Sequence, residues 1–301
     1  MRLDSATQDW LARALGDAVE SAALLQSLWS GYGAIWRCGL RGGRSVILKS
    51  VTPPAGDGRS HQRKLRSYAV ETHWYAQWSP LCGPEVRLAA VLALDPTPGA
   101  WRLVLEDLDA AGFSGRPALA TPAQIDWLAH FHATFMGQAP QGLWPMGCYW
   151  HLQTRPDELA ASADGPLKAA AQAIDARLNA ATFQTLVHGD AKPANFCLGP
   201  QGAAAVDFQY VGGGCGMKDL AYLIRRGDRP GDPAHLNRYF STLRGALSSW
   251  PSARLDALES EWRTLYPLAW ADYCRFLTGW APSRRLDALD HRMVRSAIGA
   301  L

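Results

Sequence analysis

The residues best placed to do chemistry in this 301-residue sequence lie between Thr185 and Val211. Asp190, Asn195 and Asp207 sit there among short apolar runs, 186–187, 196–198 and 203–206, with a glycine-bounded break at 199–202. Two apolar runs around such a break predict a hairpin. With a four-residue turn at 199–202, Leu198 pairs with Ala203, and counting back sets Asn195 beside Val206 and Asp207. An amide oxygen and a carboxylate emerging at one strand end make a hard-oxygen site. Such a site suits a magnesium ion that keeps some waters and takes phosphate oxygens. Asp190, five residues before Asn195, is then near enough to accept a proton from a hydroxyl aligned on the metal-bound phosphate.

The elements that must hold these residues are of two kinds. A first helix opens at Ser5, with Gln8 completing a capping box and Trp10, Leu11, Ala14 and Leu15 as its apolar face. Residues 24–29, 34–40 and 45–51 are apolar runs separated by Ser30-Gly31-Tyr32-Gly33 and Arg41-Gly42-Gly43-Arg44, the pattern of an antiparallel meander. A Pro/Gly loop at 53–58 leads to a helix predicted over 60–78, and strands follow at 86–94 and 101–105. After Asp107 the periodicity is helical, over 122–136, 157–180, 236–247 and 255–279. Strands early and helices late predict an α+β chain of two lobes joined near 106–109, divided as 1–107 and 108–301.

His188-Gly189-Asp190, Asn195 and Asp207-Phe208-Gln209 together resemble the catalytic loop and metal-binding motif of the protein-kinase-like fold. Glycine stands where protein kinases have arginine, so the variant resembles the aminoglycoside phosphotransferase and choline kinase group. The string from Val206 through Asp219 to Leu223 resembles, more narrowly, the ecdysteroid kinase-like branch. The likeness covers residues from about 28 to 225. It implies a bilobal fold with an N-terminal antiparallel sheet and one long helix, and a mainly helical C-terminal lobe carrying the catalytic hairpin. It also implies ATP and Mg2+ as cofactors, Asp190 and Lys192 as catalytic residues, and Asn195 and Asp207 as metal ligands. The plainer alternative is a structural hairpin whose Asx residues cap turns, with three polar positions matching by coincidence.

The resemblance makes further demands upstream. A strand lysine should hold the nucleotide phosphates with a helix carboxylate behind it, and Val46-Ile47-Leu48-Lys49 supplies the lysine. Tyr68, Glu71, Tyr75 and Trp78 share one helix face, where a carboxylate is costly unless paired, and Lys49 is the expected partner of Glu71. Gly31 and Gly33 would bring backbone N–H groups against the phosphates, although an ordinary hairpin turn reads the same way. Residues 103–108, with Glu106 and Leu108, fall where the fold places the strip that hydrogen-bonds an adenine edge. Lys192 resembles the lysine that offsets charge on the transferring phosphate. His188 is expected to brace the loop and Asp219 to anchor its backbone. Two positions depart from the pattern: Ala191 replaces a branched residue, and Gln209, in place of glycine or an acid, leaves the number of metal ions open.

Other classes of function are harder to accommodate. The chain is 48% apolar and 19% charged, the mixture of a soluble globular protein. It lacks a run of ~18 apolar residues for a membrane span, and its start, Met1-Arg2-Leu3-Asp4, lacks a signal segment. Six cysteines at least 18 residues apart, without a Cys-x-x-Cys pair, predict reduced thiols in a cytoplasm. A net charge of +3 with scattered arginines shows no nucleic-acid footprint, and there is no signature of an oligomeric state. Eleven glycine-rich residues without Ser or Thr separate Asp207 from Asp219, too short a stretch for a phosphorylation switch. The expected acceptor is therefore a small molecule with a free hydroxyl. The alternative activities are a pseudokinase-type nucleotide-binding regulator and a kinase of proteins. Trp262, Tyr266, Trp270, Tyr273 and Trp280 form either an aromatic wall for a ring or cation, or a core-facing stripe. His130 and His132 point apart on a helix and do not read as a zinc pair.

Overall fold

The computed structural model describes residues 2–163 and 165–301. Met1, at the head of the opening segment, and Asp164, inside the helix predicted over 157–180, lie outside the described residues. The chain opens with α1 (Ser5–Leu15), β1 (Val19–Ser27), β2 (Gly33–Leu40), β3 (Ser45–Val51) and α2 (Arg59–His73). Strands β4 (Val91–Asp95) and β5 (Arg102–Glu106) follow, then α3 (Pro122–Thr134), α4 (Pro156–Ala161) and α5 (Gly165–Asn179). Next come β6 (Thr185–Val187), β7 (Phe196–Gly199), β8 (Gly202–Ala205) and β9 (Gly212–Gly214). The chain closes with α6 (Met217–Ile224), α7 (Pro233–Ala246), α8 (Ser252–Trp280) and α9 (Ala288–Gly299). This is the expected α+β class, with an antiparallel sheet early and helices late.

Two compact units divide the chain. The first comprises residues 1–81, 87–115 and 197–209. Its antiparallel sheet runs β1-β2-β3-β5-β4. Alternate residues of β2, Ala34, Trp36, Cys38 and Leu40, pack with Val46, Leu48, Val104 and Leu11 into one core, as the period of two requires. Lys49 follows Leu48 and so projects from the other face, in register with Ile35 and Leu103 at the middle of the sheet. Asp4, not Ser5, caps α1: its carboxylate accepts the Thr7 N–H at 2.8 Å, while Gln8 reaches back to the Leu3 carbonyl. Asp is as good a cap as Ser and adds charge at the helix dipole. The helix predicted over 60–78 ends at His73 and continues as a single π turn, Trp74–Trp78, a bulge that re-aims side chains.

The second unit comprises residues 82–86, 116–196 and 210–301. Its core is aromatic: Trp127, Trp150, Trp262 and Trp270 are all fully buried. The helix predicted over 157–180 is two helices, α4 and α5. Strand β9 is three glycines pairing with β6, from Thr185 opposite Gly214 to Val187 opposite Gly212. A Cβ on Gly212 would stand 2.2 Å from the Trp144 carbonyl oxygen, so the neighbouring backbone admits no side chain there. Among the described residues no helix is long and apolar enough to cross a membrane.

Candidate active site

The loop that follows β6 is held by its backbone. Asp219, fully buried in the first turn of α6, accepts the N–H groups of His188 and Gly189 at 2.6 and 2.9 Å. His132 Nε2 lies 3.2 Å from the same carboxylate, and its Nδ1 meets the Tyr239 hydroxyl at 2.7 Å. Gly189 has φ of +79°, and a Cβ there would lie 2.1 Å from the Tyr210 carbonyl oxygen, so only glycine passes. His188 braces the loop as expected, its Nδ1 accepting the Asp190 N–H at 3.3 Å.

Asp190 is thereby presented in a fixed frame. Its Oδ2 accepts from Lys192 Nζ at 2.7 Å and from Asn195 Nδ2 at 3.0 Å. A single 3-10 turn, Pro193–Asn195, brings the asparagine back onto the loop. The Asn195 amide nitrogen also donates to the Asp190 carbonyl at 2.8 Å. With that nitrogen committed to Asp190, the Asn195 oxygen is the end left for a ligand. Asp190, Lys192 and Asn195 thus form one cluster.

The first unit holds a second cluster. Lys49 Nζ donates to both Glu71 oxygens, at 2.8 and 2.6 Å, and both residues are buried. Asp207 Oδ1 stands 3.8 Å from the same nitrogen. Burial would strip the proton from Lys49, but the charges of Glu71 and Asp207 reverse this and hold its pKa above the ordinary lysine value. Asp207 has φ of +68°, a left-handed backbone seldom adopted by a non-glycine residue. Phe208 stacks on Trp74 at 4.7 Å and meets Tyr75 edge-on at 5.8 Å. Gln209 accepts the Ser67 hydroxyl at 3.3 Å and bonds Glu71, so its side chain fastens onto α2. The sequence offered no role for that contact, because its two ends are 142 residues apart.

Gly31 and Gly33 lie at the turn between β1 and β2, at φ of +76° and +139°. A Cβ on Gly33 would stand 2.1 Å from the Ser50 carbonyl oxygen. Tyr32 between them is buried, its hydroxyl 2.6 Å from His61 Nδ1 on α2, a tether that sequence reading missed. The Glu106 side chain is occupied elsewhere, by Arg87 at 2.6 Å and the Ala90 N–H at 3.0 Å. The Leu108 carbonyl accepts the Phe113 N–H at 2.8 Å. Between them Asp107 fixes the strip to the sheet, accepting from Arg37 Nε at 2.7 Å and the Ser45 hydroxyl at 2.8 Å.

Of the five aromatics on α8, Trp262 and Trp270 are core, Tyr266 meets Trp270 edge-on, and Tyr273 packs on Trp150 and Tyr222. Trp280 differs: it is 52% exposed, stacked on Phe276 and overlaid by the Arg155 guanidinium. His132 is a brace rather than a ligand. Among the described residues no three His, Cys, Asp or Glu side chains gather to hold a metal ion. The donors offered by Asn195 and Asp207 are an amide and a carboxylate oxygen, which fit a hard divalent cation that keeps several waters.

The model of the Phosphotransferase enzyme family matches residues 25–255. Among solved structures, a protein assigned as a fructosamine-3-kinase from Thermobifida fusca is similar with a TM-score of 0.60, 17% identity and 99% coverage of each chain. The macrolide 2'-phosphotransferase of Brachybacterium faecium follows at TM-score 0.53 and 16% identity, covering 98% of this chain and 96% of that one. A spectinomycin phosphotransferase in complex with ADP and spectinomycin has a TM-score of 0.56 at 9% identity, over 100% and 98% of the two chains. At such identities the likeness establishes the fold, which is protein-kinase-like. No curated protein matches the sequence.

Proposed function

The chain belongs to the phosphotransferase enzyme family and is a small-molecule kinase; we propose that it moves the γ-phosphoryl group of ATP, with Mg2+, to a hydroxyl of its acceptor. The observation that carries this reading is the Asp190 carboxylate, held between Lys192 and Asn195 on a loop whose backbone Asp219 fixes. Asp190 orients the acceptor hydroxyl and takes its proton as the oxygen attacks. Lys192 steadies the charge of the transferring group. Lys49, kept protonated and aimed by Glu71, binds nucleotide phosphates, and the turn bearing Gly31 and Gly33 offers backbone N–H groups to them. The strip from Glu106 to Leu108 reads the adenine edge through its backbone. Asn195 and Asp207 hold the divalent cation, which supplies charge neutralisation and alignment of phosphate oxygens.

On this reading residues 1–107 form the nucleotide-binding lobe and 108–301 the catalytic and substrate-binding lobe. The narrower ecdysteroid kinase-like branch rests on the string from Val206 to Leu223 alone. Six free thiols suit a reducing cytoplasm. The test is incubation with γ-labelled ATP, Mg2+ and a metabolite pool, with products resolved by mass. A labelled phosphate monoester that disappears in Asp207→Ala is expected. ATP consumed only to inorganic phosphate, or not consumed at all, would instead indicate a nucleotide-binding regulator.

A further inference from the structure

Several arginines of the second unit are neutralised by carboxylates. Arg155 pairs with Glu158 at 3.1 Å, Arg275 with Asp272 at 2.7 Å, and Arg225 with Asp290. Lys192 answers the charge of Asp190 itself at 2.7 Å. Arg226 stands apart. Among the described residues no carboxylate forms an ion pair with it, and its Nε is buried without a hydrogen-bond partner. Its guanidinium lies 5.3 Å from the centre of the Tyr222 ring, one helical turn back, and bonds the side chain of Tyr273. Asp190 acts on it through space, as it does on Tyr222 and Tyr149. Burial opposes the charge, yet Tyr222, Tyr273 and Asp190 more than offset that cost and raise the pKa of Arg226.

Leaving a partly buried guanidinium without a carboxylate is costly unless something else meets it. A planar fork of N–H donors fits a carboxylate, sulfate or phosphate group better than any other partner. Aromatic rings flank the place. Tyr149 meets Phe276 edge-on at 5.2 Å, Phe276 stacks on Trp280 at 5.7 Å, and Tyr222 and Tyr273 lie 4.6 Å apart. An amine acceptor would meet the charge of Arg226 there, while Glu158, which acts on Tyr149 as Asp190 does, is already paired with Arg155 at 3.1 Å.

We propose that Arg226 is the specificity-determining residue of the acceptor pocket, and that the acceptor is an alcohol that also carries an anionic group. The proposal rests on the reading of Asp190 as the residue that receives the acceptor hydroxyl. Arg226 holds the anion at a distance from Asp190, and the attacking hydroxyl lies between them.

The test measures binding by calorimetry, separately from turnover, on protein saturated with a non-hydrolysable ATP analogue. The probes are matched compounds: 3-phenyllactate, 3-phenylpropane-1,2-diol and phenylalaninol in one set. Glucuronate, glucose 6-phosphate, glucose 6-sulfate, glucose and glucosamine form the other, whose three anions separate carboxylate, phosphate and sulfate. In at least one set an anion should bind about tenfold or more tightly than its neutral partner, the effect of one charge-assisted contact. Arg226→Gln should bring that ratio close to one, and Arg226→Lys, which keeps charge but not the fork, should retain part of it. Neutral or cationic members binding as tightly as the anions, no member binding, or a ratio unmoved by Arg226→Gln would overturn the proposal. So would a loss confined to nucleotide affinity. Anion binding without phosphate transfer to any probe or metabolite would count against the phosphotransferase reading while leaving the anion site standing.

Discussion

Lys49 and Glu71 are a buried ion pair, their side chains 9% and 6% exposed. Such a pair adds little net stability, because desolvation consumes most of the Coulombic gain, but breaking it leaves an uncompensated charge inside the protein. Lys49→Met should therefore destabilise the protein by about 3–5 kcal/mol in urea unfolding, and the double variant Lys49→Met/Glu71→Leu should recover most of that loss. Neither should transfer phosphate. A double variant no more stable than the single one would show that the pair is a stabilising contact in its own right. This pair was legible in the sequence, because a strand lysine and a carboxylate on an aromatic helix stripe each break a local rule that the other repairs. Gln209 on Ser67, Tyr32 on His61 and Arg226, which no carboxylate pairs among the described residues, were not legible, since their meaning lies in which distant side chains are present or absent.

The alternating strands of the first unit were found, whereas helix α6 and strand β9 were missed. Strands β2 and β3 follow the predicted runs at 34–40 and 45–51, since alternation shows wherever one face is buried. The glycines of β9 carry no strand preference, and that strand exists because backbone must lie against backbone. Helix α9 was also missed, although Asp287 and Asp290 form its capping box. Asp290 does more than cap. Its Oδ1 accepts from Arg225 Nε at 2.8 Å and from Trp270 Nε1 at 2.9 Å. Burial works to raise its pKa, but Arg225 and then Trp270 outweigh it and hold the carboxyl below the usual range. A carboxyl depressed in the folded state stabilises fully above its unfolded pKa of about 3.9, and loses that contribution as pH falls through the folded value. Asp290→Asn should thus cost about 3–5 kcal/mol at pH 7, where it strands the buried Arg225 charge. Urea titrations at falling pH should show this deficit shrinking below about pH 4. A deficit independent of pH would mean that the asparagine disturbs packing rather than charge.

Across the whole molecule, the order of strands before helices was enough to give the α+β class, but not the grouping of segments. Residues 197–209 come late in the chain yet belong with the first unit, where Leu198 bridges Gly115 and Ala205 bridges Leu88. Pairing between segments so far apart leaves no local periodicity to read. That grouping puts Asp207 with Lys49 and Glu71, while Asp190, Lys192 and Asn195 belong to the second unit. In the proposed function the first set binds nucleotide phosphates and Asp190 accepts the hydroxyl proton. The most direct measurement is to compare wild type and Asp190→Ala for ATP binding by calorimetry and for ATP-dependent phosphorylation of the acceptor found in the metabolite screen. ATP affinity should stay within about threefold of wild type, with turnover reduced on the order of 10^3-fold. Near-wild-type phosphorylation by Asp190→Ala would contradict this role of Asp190.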